Sequence, residues 1–348
     1  MRSGFYKQTL AEHLALTDSW TQRAWIAVAL AGLATAPFVL DTYLLTLVTL
    51  MMITAVGGIG LNILTGWTGL ISLGQTGFMV LGAYGYAIPV ESWGWDPLAG
   101  FLLAGLVPAA ASVLVGIPSL RLTGLYLAIT TLASAFIVVH LVLEFPGLTN
   151  GASGIFVNRP TVLGWTVFTD QDLFRLVAIF LVLTILGALN LRRSRIGRAW
   201  FAIRDKDDAA RVMGVDLRTY KLYAFVASSF AVGISGALYG IFLSFVTVDG
   251  FPFLLSIEAL AMLIVGGMGS IAGAVLGAVF LVGLPEVVSL VFSAFGDSAR
   301  ALLSTGAHEV KGVLYGLVII GFLRLQPEGL MGLWRDAQRV WTLWPLRY

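Results

Sequence analysis

"SRIGRAWFAIRDKDDAARVMGVDLRTYKLYAF", Ser194 to Phe225, is a strongly charged stretch in a chain that is otherwise oily. Between Arg192 and Lys221 lie nine of the chain's 21 Lys and Arg residues, with the acids Asp205, Asp207, Asp208 and Asp216 among them. On either side the sequence returns to Leu, Ala, Val, Gly and Phe. A membrane protein places such a loop in the cytoplasm between two spans, so the reading of the fold starts here.

The composition agrees. The chain is 58% hydrophobic and 11% charged, with a mean hydropathy of +0.90, whereas about a quarter of a soluble domain is charged. So few charges cannot cover the surface of 348 residues, and the solvent must be lipid. The net charge of +2 gives no argument for nucleic acid, because the basic residues sit where membrane topology puts them. With no cysteine, disulfides, thiolate metal sites and catalytic thiols are excluded. The 40 glycines suit helices packed backbone to backbone in a bilayer. The residues ahead of Ala24 are too many for the head of a cleaved signal, and "ATAP" (Ala34–Pro37) puts Pro37 at the would-be cleavage point, so a retained first span is expected.

A helical span needs about 20 mostly apolar residues. Candidates are Ala24–Leu40, Tyr43–Thr65, Gly74–Val90, Pro97–Gly116, Leu122–Leu143, Leu173–Leu191, Leu222–Phe245, Phe251–Gly267, Ile271–Phe292 and Lys311–Leu325. The expected fold is an all-α polytopic membrane protein of about ten transmembrane helices (8–10), some broken at glycines. The eighth is short and glycine-ended, so eight or nine spans plus a re-entrant segment is the alternative.

The positive-inside rule then divides the chain. A cytoplasmic segment 1–23 (Arg2, Lys7, Arg23) precedes a membrane domain over 24–326, and a cytoplasmic or interfacial tail covers 327–348 (Arg335, Arg339, Arg347). Arg121 and the 192–221 loop fall inside; Asp41, Glu91–Asp96 and the 144–172 loop fall outside, where Arg159 alone is basic. Trp93, Trp95 and Trp165 lie at outer ends and Trp334, Trp341 and Trp344 at the inner end, as interfacial belts do. The tail "WRDAQRVWTLWPLRY" reads as a basic amphipathic anchor.

No catalytic constellation is present. His13, His140 and His308 are far apart and not at metal-ligand spacing, so no metal site is expected. There is no G-x-x-x-x-G-K-[ST] loop, so the chain does not itself hydrolyse ATP through a P-loop, and no cofactor is implied. "GGIGLN" (Gly57–Asn62) lies within a span and reads as packing. So do the small-residue pairs Gly236–Gly240, Gly273–Gly277 and Gly312–Gly316.

Two glycine-rich breaks carry more. "NILTGWTGLISLGQTGF" (Asn62–Phe78) and "IVGGMGSIAG" (Ile264–Gly273) interrupt apolar spans, and broken backbone at membrane depth needs burial in protein or a watered cavity. Asn62, Thr65, Ser72 and Gln75 are the polar groups of the first, and Ser270 of the second, with Glu258 one short helix upstream. These residues are candidates for a translocation pathway or for structural roles; an ionisable group in a span is a functional candidate by default, while Glu258 near Ser256 has helix capping as its alternative.

The opening loop has shape of its own. Asp205, Asp207 and Asp208 cluster where a helix would begin, favourable to its positive end. Ala209, Val212 and Met213 fall at i, i+3, i+4 as one apolar stripe, and Gly214 supplies a left-handed stop. The spacing predicts a two-turn helix, roughly 12 Å long. Such a helix cannot bury its stripe alone, which points to a cytoplasmic partner.

"DAARVMG", Asp208–Gly214, is similar to the E-A-A-x-x-x-G signature of ABC-importer permeases, with Asp208 in place of Glu and Ala209, Ala210 and Gly214 matching. The I-x-L-P continuation of many importers is missing, since Ala224–Ala227 reads "AFVA", which argues against the maltose type. "GLNILTGWTGLISLGQTGFMVLGAYGYA" (Gly60–Ala87), "LRLTGLYLAITTLA" (Leu120–Ala133), "TNGASGI" (Thr149–Ile155), "IGRAWFAIRDKDDAARVMGVDLRTYKLYAFVAS" (Ile196–Ser228) and "SIEALAMLIVGGMGSIAGAVLGAVFLVGLPE" (Ser256–Glu286) resemble permeases of branched-chain amino acid uptake systems. The insert before Leu173 and "PEGLMGLW" (Pro327–Trp334) resemble the LivM type more than the LivH type.

The resemblance implies a bacterial inner-membrane permease subunit for leucine, isoleucine and valine. Its implied partners are a LivH-like second permease, two ATP-binding subunits and a periplasmic binding protein that docks on the 144–172 loop. Asp207, Asp208, Ala209, Ala210, Met213 and Gly214 would then form the helix that seats in the ATPase, and Ala210→Asp is expected to uncouple transport without unfolding the chain. Related systems carry urea, amides or aromatic acids. The rival reading is a secondary carrier without ATPases, since broken helices suit a carrier too; few membrane-embedded acids and the coupling-like helix count against it.

Overall fold

The computed structural model describes residues 20–119, 122, 124–162 and 164–294 and part of 313–336, including 329–334. The expectations for segment 1–19, Arg121, His308, Gly312, Trp341, Trp344, most of the tenth span and most of the tail fall outside these residues.

Apolar runs become helices because lipid offers backbone N–H and C=O groups no partner, and a helix satisfies them internally. The first expected span is α1 (Trp20–Val39). The second is α2 (Thr42–Leu61), prolonged by a π-helical turn, Asn62–Gly66. Then come α3 (Gln75–Ala87), with a second π turn over Ile88–Ser92, α4 (Pro97–Ser119) and α5 (Leu125–Glu144). A short α6 (Pro146–Thr149) leads into α7 (Asp170–Arg193). After α8 (Arg195–Asp205) and α9 (Asp207–Val212) the chain returns as α10 (Leu217–Leu243), α11 (Leu254–Gly266) and α12 (Ile271–Ala294).

Among the described residues six segments are long and apolar enough to cross a bilayer: Thr42–Gly66, Pro97–Ser119, Leu125–Glu144, Asp170–Arg193, Leu217–Leu243 and Val248–Gly266. The apolar part of α12, Ile271–Val287, is shorter.

α10 is the centre of the bundle and packs against α2, α3 and α4. Glycine makes that possible. A Cβ on Gly82 would fall on the backbone of Gly233, one on Gly233 on Ala104 O, and one on Gly236 on Met79 O. α3 and α4 therefore touch α10 backbone to backbone, gaining dispersion contacts that lipid cannot supply. The "GGIGLN" run is packing as well, since Gly60 faces Ala231 and Val232 of α10. Gly273 and Gly277 of α12 lie against Gly266 and Met262 of α11, so these two pairs are intramolecular. α7 covers α2 on one flank and α1 covers α7.

The connection between α5 and α7 is more structured than the sequence shows. Strands β1 (Ile155–Phe156) and β4 (Phe245–Val246) pair antiparallel, and β2 (Thr161–Val162) pairs with β3 (Trp165–Thr166) in a hairpin. Asn150 turns in the left-handed region (φ 57°), a conformation asparagine tolerates, and its Nδ2 donates to Gly154 O at 3.2 Å. Thr169 and Asp172 then form a reciprocal capping box at the start of α7, which ends on Arg192 and Arg193, matching the helix dipole at both ends. Arg159 is paired with Asp170 at 2.5 Å. The bundle thus has a strand end and, opposite it, an end carrying α8 and α9.

Candidate functional site

The charged stretch folds as an elbow of two helices. Ser194 caps α8 by accepting from Gly197 N at 3.2 Å, and Asp216 caps α10 by accepting from Arg218 N at 3.2 Å. The Thr219 hydroxyl, donating to Asp216 at 2.6 Å, holds that carboxyl below its usual range. Between them α9 begins at Asp207, with Asp207 and Asp208 in its first turn, while Asp205 closes α8. Gly214 at φ +85° follows it, the left-handed stop its spacing predicts.

Exposure along α9 separates two faces. Ala209 is exposed, Val212 is 87% exposed and Met213 83%. This is the expected apolar stripe, and within the chain it is uncovered. Ala210, at 2% exposure, faces the other way and packs on Ile203 of α8 and Leu217 of α10. That corrects one expectation. A charge at Ala210 would enter the elbow's own core rather than a contact with a partner, so Ala210→Asp would unseat α9 before it tested coupling. Lys221, itself buried, donates to Asp207 at 2.5 Å and ties the start of α9 to α10.

The two glycine breaks meet beside this elbow. α2 reaches its π turn after 20 residues, about 30 Å at 1.5 Å per residue. The first break therefore opens at the elbow end of the bundle and not midway along a span. Asn62 Oδ1 accepts from Gly269 N at 2.8 Å, and Trp67 Nε1 donates to Gly269 O at 3.2 Å, so both breaks are tied at one residue. Gly66 is obligatory: a Cβ there would strike Asn62 Oδ1 and come within 2.6 Å of Gly269 N. From Gly69 the chain turns back without helix, and Leu73 N donates to Thr131 Oγ1 of α5 at 3.0 Å. α3 starts beyond this point, with Thr76 N donating to Ser256 Oγ of α11 at 3.0 Å.

All four polar candidates of the first break are buried. Thr65 donates to Leu70 O at 3.2 Å, and Ser72 Oγ accepts from Gly74 N at 3.3 Å. Asn62 Nδ2 and Gln75 Oε1 are buried without a partner, in polar positions inside an apolar bundle. Ser270 Oγ accepts from Gly273 N at the start of α12. Glu258 is half-buried in α11, two residues beyond Ser256. Asn62, Thr65 and the second break are thus brought together at one end; Ser72 and Gln75 follow along the re-entrant run. Among the described residues no cluster of His, Cys, Asp and Glu suits a metal.

Four contributors were not singled out in the sequence: Arg204, Trp67, Lys221 and the Thr76–Ser256 pair. Arg204 and Lys221 merge into the basic cluster. Trp67, sitting in "TGWTG" between glycines, is the one residue whose bulk gave a readable signal.

Comparison with known proteins gives the family of the chain. The family described as branched-chain amino acid transport system, permease component, matches residues 43–323. A high-affinity branched-chain amino acid transport system permease protein LivM of Escherichia coli is 36% identical across 94% of this chain and 79% of its own length. The protein of that name in Salmonella typhimurium is likewise 36% identical over the same shares. The corresponding LivH of E. coli is 26% identical over 82% of this chain and 81% of its own length. No solved structure matches the chain significantly.

Proposed function

Because the chain belongs to the branched-chain amino acid transport permease family, we propose that it is one of two permease subunits of an ATP-driven importer and forms half of the pathway for leucine, isoleucine or valine. Its paired subunit is a LivH-like permease. Two ATP-binding subunits act at the elbow end, and a periplasmic binding protein delivers substrate to the strand end over the 144–172 loop. In this reading the elbow is cytoplasmic, about ten spans cross the bacterial inner membrane and both termini are cytoplasmic.

The observation that carries the reading is α9. Its stripe of Ala209, Val212 and Met213 is presented outward while Ala210 and Lys221 anchor it inward. An apolar helix face held rigidly and left uncovered is the geometry of a helix that lies in a partner's groove. Asp207, Asp208 and Gly214 set its two ends. The subunit performs no chemistry of its own; ATP hydrolysis belongs to the partner.

Asn62, Thr65, Ser72, Gln75 and Glu258 remain the pathway candidates. The unpaired Asn62 Nδ2 and Gln75 Oε1 support a role in transient contact with a zwitterionic amino acid as the re-entrant run moves. The test is reconstitution of the four kinds of subunit in vesicles. Leucine uptake that requires both ATP and the binding protein is expected. Uptake driven by an ion gradient without ATP would replace this reading with a carrier.

A further inference from the structure

The elbow and the two breaks are joined by a side chain that the basic cluster conceals. Arg204 stands in the last turn of α8, and Lys206 alone separates α8 from α9. Its Nη1 donates to Gly66 O at 2.5 Å, across 138 residues of sequence. The same guanidinium lies against Gly269, where a Cβ would come within 2.5 Å of Nη1, and Gly69 faces Arg204 Cα and Cγ. Gly66 closes the π turn of the first break, and Gly269 is the residue to which Asn62 and Trp67 bind in the second. One charged group therefore touches both breaks.

The elbow behind Arg204 is stiff. Ile203, Ala210 and Leu217 share one small core spanning α8, α9 and α10, and Asp207 pairs with Lys221. Trp200 Nε1 donates to Tyr220 O at 2.8 Å. A push on α9 must be passed to the neighbouring helices, because each joint is packed or hydrogen-bonded. At the other side a π turn leading into irregular backbone is the softest part of α2, and the two hydrogen bonds that tie the breaks at Gly269 can be remade as it shifts.

Resting on the importer reading above, we propose that Arg204 is the positioning residue through which movement of α9 reaches the breaks, by holding Gly66 and Gly269 together in the observed state and releasing them in another. Trp67, whose ring centre lies 6.1 Å from that of Trp200 and 5.9 Å from that of Phe201 in tilted contacts, is the pivot about which this happens. The guanidinium suits the task because it stays charged and offers several donors to backbone carbonyls at once.

The test uses the full assembly in vesicles. In Arg204→Gln, leucine taken up per ATP hydrolysed is expected to fall tenfold or more while the ATPase subunits stay bound. Arg204→Lys, which keeps charge and reach toward one carbonyl, is expected to recover most of the ratio. An unchanged ratio in Arg204→Gln overturns the proposal and leaves the importer reading standing. No ATP-dependent uptake by the unaltered assembly would instead sink the importer reading itself. A second readout does not depend on how the Arg204 variants fold. The native chain has no cysteine, so Met268→Cys, at an exposed position beside Gly269, takes a single nitroxide label. Its spectrum is expected to change when a non-hydrolysable ATP analogue is added to the assembly. A label that ignores the nucleotide contradicts the proposed link.

Discussion

Lys221 and Asp207 show how single residues set the elbow. Lys221 carries a charge to a buried position where an unpaired ammonium is costly, and Asp207, about two-fifths exposed, supplies the counter-charge. The two deletions are therefore unequal. Asp207→Ala strands the buried charge and is expected to cost about 3 kcal/mol. Lys221→Met leaves a carboxylate that can turn to water, and about 1 kcal/mol is expected. Thermal unfolding of the purified protein checks the order, and equal losses would mean that the pair is not buried as described. Ala210 belongs to the same scale: its identity looks like a family signature, yet its methyl is core, filling the space between Ile203 and Leu217.

Among the elements, the re-entrant run matters most. A break costs hydrogen bonds, and here three are made with partners far away in sequence: Asn62 to Gly269, Trp67 to Gly269, Thr76 to Ser256. Asn62→Ala leaves Gly269 N–H without its acceptor, at a cost of about 1–3 kcal/mol. Transport is expected to fall in Asn62→Ala and in Gln75→Ala, and wild-type rates of leucine uptake in both would remove these residues from the pathway. The breaks were legible in the sequence because glycine and polar residues interrupt apolar runs. Their meeting at one residue was not, since no local pattern records a partner some two hundred positions away. α9 was legible for the opposite reason: its acids, apolar stripe and terminal Gly214 are all local signals. The strand pairs of the 144–172 loop left no such trace, being only two residues each, with β4 supplied from beyond α10.

For the molecule as a whole, helix order and the centrality of α10 follow from apolar runs and from glycines that let α3 and α4 close on it. Gly236→Leu would drive a side chain into the backbone of Met79, and loss of folded protein from the membrane is expected; normal accumulation would mean the crossing is looser than described. Orientation is tested separately. An exposed Thr161→Cys at the strand end is expected to react with an impermeant thiol reagent in whole cells, and an exposed Arg195→Cys, at the start of α8 and off the α9 stripe, only in inverted vesicles; the reverse pattern would invert the topology. The central claim is that α9 is the seat of an ATP-binding subunit. Its most direct test is affinity purification of this chain from its own membrane, unaltered and as Val212→Asp with Met213→Asp, two changes at exposed positions that leave the elbow core intact. The account predicts that an ATP-binding subunit and a second permease accompany the unaltered chain and that the ATP-binding subunit is lost from the double variant. An ATP-binding subunit retained in full by the double variant, or absent from both, would contradict it.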